Sequence, residues 1–359
     1  MIKIAFISRA TLFTSPGGDT CQMEETAKNL RLKGVLVDIY LCNQTIDYTR
    51  YDLLHFFNII RPADIIKHIR HSKKPYVVST IFVQYGNVNA GLKQGILKKI
   101  FSEDGLEYIK VIARAVKNGE KIISTAYLWM GHRKAIQYIA QHAAYLLPNS
   151  ESEYRRLAAQ YSVKTKYHVV PNGVDAELAN KKYPSSEKYK DSILCMGRIE
   201  NRKNQLNLVR ALNKTAYKVF IHGKASPNAT AYLEQCKKEA ADNVKIEGWL
   251  AGDDLYTAYS NAKVHVLPSF FETTGLSSLE AAVMGCNIVV TDKGDTLDYF
   301  KNYAWYCGPG DTLSIKNAVD AAYKAPYNEE FRQYILTHYT WEKTAEETLS
   351  VYRKVLKSE

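Results

Sequence analysis

Residues 264–292 read VHVLPSFFETTGLSSLEAAVMGCNIVVTD, and this stretch predicts a strand, a helix and a second strand in direct succession. It starts and ends with apolar runs of strand length, while its centre combines strong helix formers with an apolar face. Gly285 closes the predicted helix, because glycine readily adopts the conformation in which helices end. Strands joined by a helix lie parallel in one sheet, so the stretch predicts an α/β fold.

The same alternation runs through most of the chain. Apolar runs of strand length recur between segments with helical periodicity. The predicted strands occupy residues 2–8, 35–41, 52–59, 75–82, 145–150, 167–170, 192–199, 217–224, 243–250, 263–269 and 286–292. This pattern predicts parallel sheets with helices on both faces.

Length and chain breakers predict two domains. A chain of 359 residues exceeds what one core usually serves. The Pro-Asn-Gly run at 171–173 breaks the alternation, and a polar stretch follows at 180–191. We therefore predict two Rossmann-like, doubly wound domains, 1–170 and 171–340, facing each other across a cleft. Ligands of such sheets bind at the carboxyl ends of the strands, which makes the cleft the expected site.

The positive charge is confined to the first half. Residues 1–172 contain 24 Lys and Arg against 13 Asp and Glu, whereas 173–359 contain 24 of each, so the net +11 belongs to the first half. The imbalance indicates an anionic partner, such as a phosphate-bearing substrate or a lipid surface, or else a merely soluble basic face. No base-reading or aromatic RNA motif supports a nucleic-acid partner.

A basic amphipathic helix is predicted within residues 90–122. Its apolar residues share one face and its lysines lie towards the other. Such a helix rests on an anionic membrane surface or packs on its own domain with solvated lysines, and the sequence leaves both open.

Cysteine usage and hydropathy indicate a cytoplasmic protein. The six cysteines are scattered, without a CxxC pair or a His/Cys cluster, as expected for free thiols. No apolar run reaches the roughly 18 residues that span a bilayer, and the start MIKIAFISRA lacks the pattern of a secretory signal. Peripheral attachment to the inner face of the membrane remains compatible with this expectation.

Two stretches carry candidate anion-binding groups. GRIENRKNQ at 197–205 places Arg198 and Lys203 directly after a predicted strand, where both could hold phosphate oxygens beside a helix start, although a solvated basic turn is the alternative. SPGGDT at 15–20 brings Gly17 and Gly18 into a turn that permits close approach of a phosphate or sugar. That turn matches neither GxGxxG nor GxxxxGK[ST], so neither a nicotinamide site nor a P-loop is expected.

The opening stretch carries two carboxylates. Glu272 lies in the loop after the predicted strand, and Glu280 lies about one turn into the following helix. One carboxylate could accept hydrogen bonds from sugar hydroxyls and the other from ribose hydroxyls. Backbone N–H groups near Gly275 and Leu276 would face an anion at the helix start. The alternative is that this is an ordinary helix with an acidic residue near its start and no binding role.

These stretches together resemble the retaining GT-B glycosyltransferases of family 4. The family pattern PSxxEGFGLxxLEAMAxG is similar to 268–285, and VVPNGVD, GRIENRKN, VKIEGWL and the glycine-rich first loop follow in the family's order. The tail YTWEKTAEETLSVYRKVL resembles a terminal helix that crosses back to the first domain, here placed at 341–359.

The resemblance implies a role for each matching position. Arg198 and Lys203 would hold the donor diphosphate, Glu272 the sugar hydroxyls and Glu280 the ribose. The remaining donor-binding residues that the resemblance implies are Gly17, Gly18, Trp249, Leu250, Gly275 and Leu276.

The chain departs from the family pattern at three places. Thr273 and Thr274 replace the usual Gly-Phe after the first glutamate and are expected to affect sugar choice. Phe82 stands where many relatives carry a histidine, and His132 is either a spatial substitute or a structural residue.

The expected reaction moves a sugar from a nucleoside diphosphate sugar, with UDP favoured, to a hydroxyl of a glycan or a lipid-linked acceptor. Surface polysaccharide or lipopolysaccharide synthesis is the expected setting. Arg198, Lys203 and backbone donors would stabilise the leaving diphosphate without a metal ion or other cofactor. A nucleotide-sugar epimerase and a non-catalytic nucleotide-sugar binder of the same fold remain the alternatives.

Overall fold

A computed structural model describes residues 1–83, 104–105, 108–109 and 125–357. The chain divides into two compact units, one formed by Met1–Asn172 with Trp341–Glu359 and the other by Gly173–Thr340. The helix predicted within 90–122 lies outside the described residues, apart from the short pieces at 104–105 and 108–109.

The first unit is a five-stranded parallel sheet covered by helices. Its strand order is β2-β1-β3-β4-β5, and each neighbouring pair runs parallel. Its elements are β1 Lys3–Ser8, α1 Gly18–Leu32, β2 Leu36–Leu41, β3 Leu53–Phe57, α2 Pro62–Ser72, β4 Tyr76–Ser79, α3 Thr125–His142, β5 Tyr145–Leu147, α4 Glu151–Tyr161 and, from the end of the chain, α12 Trp341–Lys357. The strands are buried on both faces, which explains their continuously apolar sequences.

The last helix completes the first unit. Helix α12 buries Tyr352 in the cluster that also contains the side chains of α1. The Tyr352 hydroxyl forms a 2.6 Å hydrogen bond with Nδ1 of the fully buried His55 on β3, and Nε2 of that ring lies 2.8 Å from Oγ of Ser79. Burial lowers the pKa of His55 to about 3, so the ring is neutral. A polar link inside the core therefore fastens the end of the chain to the sheet.

The second unit is a six-stranded parallel sheet in the order β11-β10-β9-β6-β7-β8. Its elements are β6 Ile193–Met196, α5 Gln205–Leu212, β7 Val219–His222, α6 Thr230–Glu239, β8 Val244–Glu247, α7 Gly252–Asn261, β9 Val264–Leu267, α8 Leu276–Val283, β10 Asn287–Thr291, α9 Thr296–Phe300, β11 Trp305–Cys307, α10 Thr312–Lys324 and α11 Glu329–His338. Apolar clusters lie on both faces of this sheet.

The strand order of the second unit reverses between β6 and β9. From β6 the chain proceeds outward through β7 and β8, then returns to pair β9 with the other side of β6. Loops that leave such a pair turn in opposite directions and open a crevice at the carboxyl ends of the strands. The loop after β6 begins at Gly197 and the loop after β9 begins at Pro268.

The expected α/β fold with two parallel-sheet domains is confirmed. The predicted strand at 167–170 is wrong, because only an isolated bridge joins Leu146 to Tyr167. The elements α9, β11, α10 and α11 were not predicted. No helix in the described part of the chain is long and apolar enough to cross a membrane.

Candidate active site

Two loops meet at the reversal point of the second sheet. The first, residues 197–204, follows β6 and contains a short 3₁₀ turn at Asn201–Lys203. The second, residues 268–275, follows β9. The N–H of Phe270 donates to the carbonyl of Arg202 at 2.8 Å, and the amide of Asn204 donates to the carbonyl of Pro268 at 2.9 Å. One backbone hydrogen bond and one from the side-chain amide of Asn204 thus fix the two loops to each other.

Lys203 and Glu272 form a buried ion pair between these loops. Nζ of Lys203 lies 2.6 Å from Oε2 of Glu272, and the two side chains are only 13% and 7% exposed. Oγ of Ser269 donates to the same carboxylate oxygen at 3.0 Å. Burial alone would raise the pKa of Glu272, but Lys203 and Arg202 outweigh it and lower that pKa, so the carboxylate is ionised. The structure brings together a cation and an anion that the sequence separates by 69 positions.

Glu200 holds two arginines at the edge of the ion pair. Its carboxylate lies 3.1 Å from Arg202 and 3.9 Å from the half-exposed Arg198, and it accepts a 2.6 Å hydrogen bond from Ser226. Burial opposes ionisation of Glu200, yet the two arginines outweigh it and lower its pKa. Arg202 also donates to the carbonyl of Phe271 at 3.1 Å. Arg198, Arg202 and Lys203 thus outnumber the two carboxylates beside them.

Glu200, Arg202 and Ser269 also belong to this site, although they were not predicted from the sequence. Glu200 and Arg202 stand inside the quoted stretch 197–205, so their proximity to Arg198 was a usable signal. The contact of Arg202 with the loop after β9 depends on the strand order, which the sequence does not display.

A glycine on a neighbouring loop determines the backbone position of Glu272. The N–H of Glu272 donates to the carbonyl of Lys293 at 3.2 Å, and the N–H of Asp295 donates to the carbonyl of Glu272 at 2.9 Å. A Cβ atom at Gly294 would stand 1.9 Å from the Glu272 carbonyl oxygen. Only glycine fits there without displacing the backbone that presents Glu272.

The loop after β9 ends at the start of helix α8. Gly275 precedes α8 with a φ of 72°, a conformation that favours glycine, and Leu276 is the first residue of α8. Thr274 is buried, with its hydroxyl 3.3 Å from that of Tyr299, whereas Thr273 is half-buried. Of the two threonines, Thr273 is therefore the one placed to meet a ligand.

Glu280 is a half-buried carboxylate on α8. Within the described parts of the chain, it has neither a hydrogen bond nor an ion pair. Burial raises the pKa of Glu280 to about 7, so near neutral pH this group is poised between its two protonation states. An acceptor of hydrogen bonds without a protein donor suits a ligand that supplies hydroxyl groups.

Trp249 and Leu250 lie in the same unit but after a different strand. They follow the carboxyl end of β8, the outermost strand of the sheet. Trp249 is half exposed, whereas Leu250 packs against the apolar cluster that contains α8.

Gly17 and Gly18 belong to the first unit. Gly17 caps α1, and its N–H donates to the Thr20 hydroxyl at 3.1 Å. Arg9 holds this turn from the end of β1 through two hydrogen bonds to Asp19, at 2.6 and 3.0 Å. The glycine turn is therefore fixed by a buried arginine.

Phe82 and His132 are both buried in the first unit. The N–H of Phe82 donates to the carboxylate of Glu153 at 2.9 Å, and its ring packs on Tyr161. Nδ1 of His132 lies 3.1 Å from the Tyr127 hydroxyl. These contacts give both side chains structural partners in that unit.

The second-unit site combines fixed cations, carboxylate acceptors and the open start of α8. Such an arrangement can bind a ligand that carries both anionic oxygens and hydroxyl groups. Across residues 1–83 and 125–357, no group of three or more His, Cys, Asp or Glu side chains is arranged to hold a metal ion.

Two parallel α/β units of this kind define the GT-B class, and comparison with solved structures shows the same fold. Sucrose-phosphate synthase from Thermosynechococcus elongatus superposes with a TM-score of 0.74 and 16% identity, covering 100% of both chains. Anabaena HepE in complex with UDP and glucose superposes with a TM-score of 0.69 and 13% identity, covering 99% of this chain and 100% of HepE.

Sequence comparison gives a narrower assignment. Residues 175–337 match the family described as "Glycosyl transferases group 1". An uncharacterized glycosyltransferase of Methanocaldococcus jannaschii, MJ1607, is 31% identical over 178 residues, which are 45% of this chain and 44% of that protein. The matched stretches span only 39% to 57% of the first curated relatives. These matches make residues 175–337, which lie in the second unit, similar to the glycosyl transferases of group 1.

Proposed function

We propose that the protein is a glycosyltransferase that moves a hexose or N-acetylhexosamine from a UDP-sugar to an acceptor hydroxyl. The observation that carries this proposal is the ion pair of Lys203 and Glu272 where the strand order reverses, together with Arg198 and with Glu280 on the following helix. The carboxylate of Glu280 has no hydrogen bond or ion pair among the described residues. UDP is favoured because the HepE structure, which shares the fold, holds UDP and glucose.

In this proposal each charged group of the site contacts a different part of the donor. Arg198 and Lys203 bind the diphosphate, and the N–H groups at Gly275 and Leu276 donate to its oxygens. Glu272 accepts hydrogen bonds from the sugar hydroxyls and Glu280 from the ribose. When the donor arrives, Lys203 exchanges part of its contact with Glu272 for a phosphate oxygen, which leaves the carboxylate free to accept from the sugar.

The reaction breaks the bond between the sugar anomeric carbon and the diphosphate oxygen and forms a bond to the acceptor oxygen. Negative charge grows on the departing diphosphate, and the arginine, the lysine and the backbone donors stabilise it. We place the acceptor on the same face as the leaving group, so the phosphate takes the acceptor proton and the anomeric configuration is retained. Retention is what we expect of a member of family 4, to which we propose that the chain belongs, and the proposed steps use no metal ion.

We assign the acceptor to the first unit on the basis of charge. Residues 1–172 carry all of the net +11, which suits an acceptor held on a lipid diphosphate at an anionic membrane surface. This assignment makes surface polysaccharide or lipopolysaccharide synthesis on the cytoplasmic face of the membrane the proposed setting.

Arg198→Ala tests the proposed role of the site. Because Arg198 is half exposed, its removal should spare the fold, whereas loss of diphosphate stabilisation should lower kcat/KM by about 10² to 10³. The assay follows UDP release from a panel of UDP-sugars with and without glycan acceptors. Lys218→Ala, an exposed lysine just before β7, removes the same charge at the opposite edge of the sheet and should leave the rate unchanged.

The rival functions give different products in the same assay. An epimerase would produce an altered sugar nucleotide without any acceptor. A non-catalytic binder would bind UDP-sugar without turnover under all acceptors. Equal rates for the two variants and the wild type would remove Arg198 from the mechanism.

A further inference from the structure

A cavity of about 430 Å³ opens on the first unit, at the edge of the sheet opposite the glycine turn. Its lining comes from the end of α1, from the amino ends of β1 and β2 and from the residues just before β3. These lining residues are Lys3, Arg31, Leu36, Val37, Asp38, Arg50 and Tyr51. A cavity of this volume has the size of a small-molecule site.

Three of the lining side chains are cations that form no close ion pair among the described residues. Among the residues that the structure describes, Lys3, Arg31 and Arg50 take part in no ion pair. The guanidinium of Arg31 donates twice to the carbonyl of Val37, at 3.1 and 2.6 Å, and this fixes its position at the wall of the cavity.

The one carboxylate in the lining is already engaged. Asp38 accepts a 2.6 Å hydrogen bond from the buried hydroxyl of Tyr51, which also lies 2.6 Å from the hydroxyl of Tyr40. Three positive charges and one negative charge stand in the lining itself. Two further carboxylates lie beside it, since Asp52 accepts from the backbone N–H of Lys3 at 2.8 Å and the charge of Arg50 acts on Asp47. Like charges gathered around a concave surface repel one another, and an anion that enters relieves this repulsion.

The cavity contains none of the residues assigned to the proposed transfer reaction. It lies at the amino ends of the strands, whereas the glycine turn that contains Gly17 follows the carboxyl end of β1. The ion pair of Lys203 and Glu272 belongs to the other unit altogether.

We propose that this cavity is a second binding site, which takes the phosphate group of a sugar-sized phosphate monoester. Arg31 and Arg50 hold the phosphate oxygens, with Lys3 as a further positive charge. The exposed Leu36 covers the apolar side of the ligand, while Asp38 accepts from its hydroxyl groups.

Calorimetric titration with glucose 1-phosphate tests the site in the full-length protein. Wild type should bind this probe at least threefold more tightly than inorganic phosphate, and neutral glucose should not bind. Lys3→Gln/Arg50→Gln should weaken the binding of glucose 1-phosphate tenfold or more. Both replaced side chains are exposed and unpaired, so the variant should keep the melting temperature of the wild type.

Arg70→Gln/Lys73→Gln removes the same two charges from the exposed end of α2 and serves as the matched control. It should bind glucose 1-phosphate as the wild type does. If inorganic phosphate binds as tightly as the sugar phosphate, and binds more weakly to the Lys3/Arg50 variant, that result would confirm the cavity as an anion site and identify free phosphate as its ligand. Equal affinity of the wild type and the Lys3/Arg50 variant, or equal weakening in the control, would overturn the proposal.

Discussion

At the scale of single residues, the site depends on charges that have lost most of their water. The charges of Lys203 and Glu272 mainly neutralise each other, since both side chains are nearly buried. Removing either partner would leave an uncompensated buried charge, which typically costs about 3–5 kcal/mol. Lower activity in a variant that lacks only one of them could therefore come from lost catalysis or from lost stability. For this reason Arg198, which is half exposed, is the better position to test.

Glu280→Gln should increase stability and weaken nucleotide binding. The pKa of Glu280 is raised by burial to about 7, from an ordinary 4.5. Between these values the unfolded chain ionises this group while the folded protein keeps the proton. Its stabilising contribution is therefore present below pH 4.5 and lost as the pH rises through 7. At pH 8 the variant should gain up to about 3 kcal/mol, measured by urea unfolding at pH 5 and pH 8.

The same variant should bind UDP at least tenfold more weakly at pH 8, because an amide oxygen replaces the carboxylate that accepts from the ribose. Wild type should bind UDP more tightly at pH 8 than at pH 6, and the variant should lose most of that difference. Glu187→Gln, at an exposed carboxylate, is the control for both measurements. A pH dependence of stability shared by wild type and Glu280→Gln would exclude burial of this carboxylate as its cause.

At the scale of elements, the sequence predicted the central strands because they are buried on both faces. The continuous apolar runs of β1, β6 and β9 leave little ambiguity. Strand β11 was not predicted because it has only three residues, two of them half-buried, and lies at the edge of its sheet. The sequence also placed Arg198, Lys203, Glu272 and Glu280 after the correct strands.

What the sequence did not provide was the link between the two loops. Arg202 reaches the carbonyl of Phe271 across 69 positions, and Lys203 reaches Glu272 across the same separation. Such contacts depend on β6 pairing with β9, which is a property of strand order and not of local pattern. For the same reason the cavity at the amino ends of β1 and β2 had no sequence signal beyond the basic charge of the first half.

The hydrogen bond between Tyr352 on α12 and His55 on β3 can be tested for its contribution to stability. Tyr352→Phe removes the hydroxyl bonded to Nδ1 of His55 and leaves a buried ring nitrogen without that partner. We expect a loss of about 1–3 kcal/mol in the free energy of unfolding. Tyr167→Phe, whose hydroxyl contacts the exposed carboxylate of Glu151, should cost less than about 0.5 kcal/mol. Similar losses for both, measured by chemical denaturation, would show that the buried link does not hold the helix.

At the scale of the whole molecule, charge is distributed unequally. The first 172 residues carry the entire +11, while the remainder is neutral. Net charge of this size acts over about a Debye length, roughly 8 Å at physiological salt. It therefore governs which surfaces the protein approaches more than how tightly it is folded.

Vesicle sedimentation tests whether this charge leads to a membrane. The protein should bind vesicles that contain anionic lipid at least tenfold more than neutral ones, and 0.5 M salt should abolish the difference because it screens the attraction. Transfer activity towards a soluble acceptor should not change with the vesicles. Indifference to lipid charge at low salt would assign the excess charge to soluble ligands instead.

The tight fit at Gly294 has a consequence for how the chain tolerates change. Glycine has no side chain to offer a ligand, yet any substituent at this position would clash with the carbonyl of Glu272. Substitutions at Gly294 are therefore expected to disturb the site even though this residue would not appear in a list of ligand-contacting side chains.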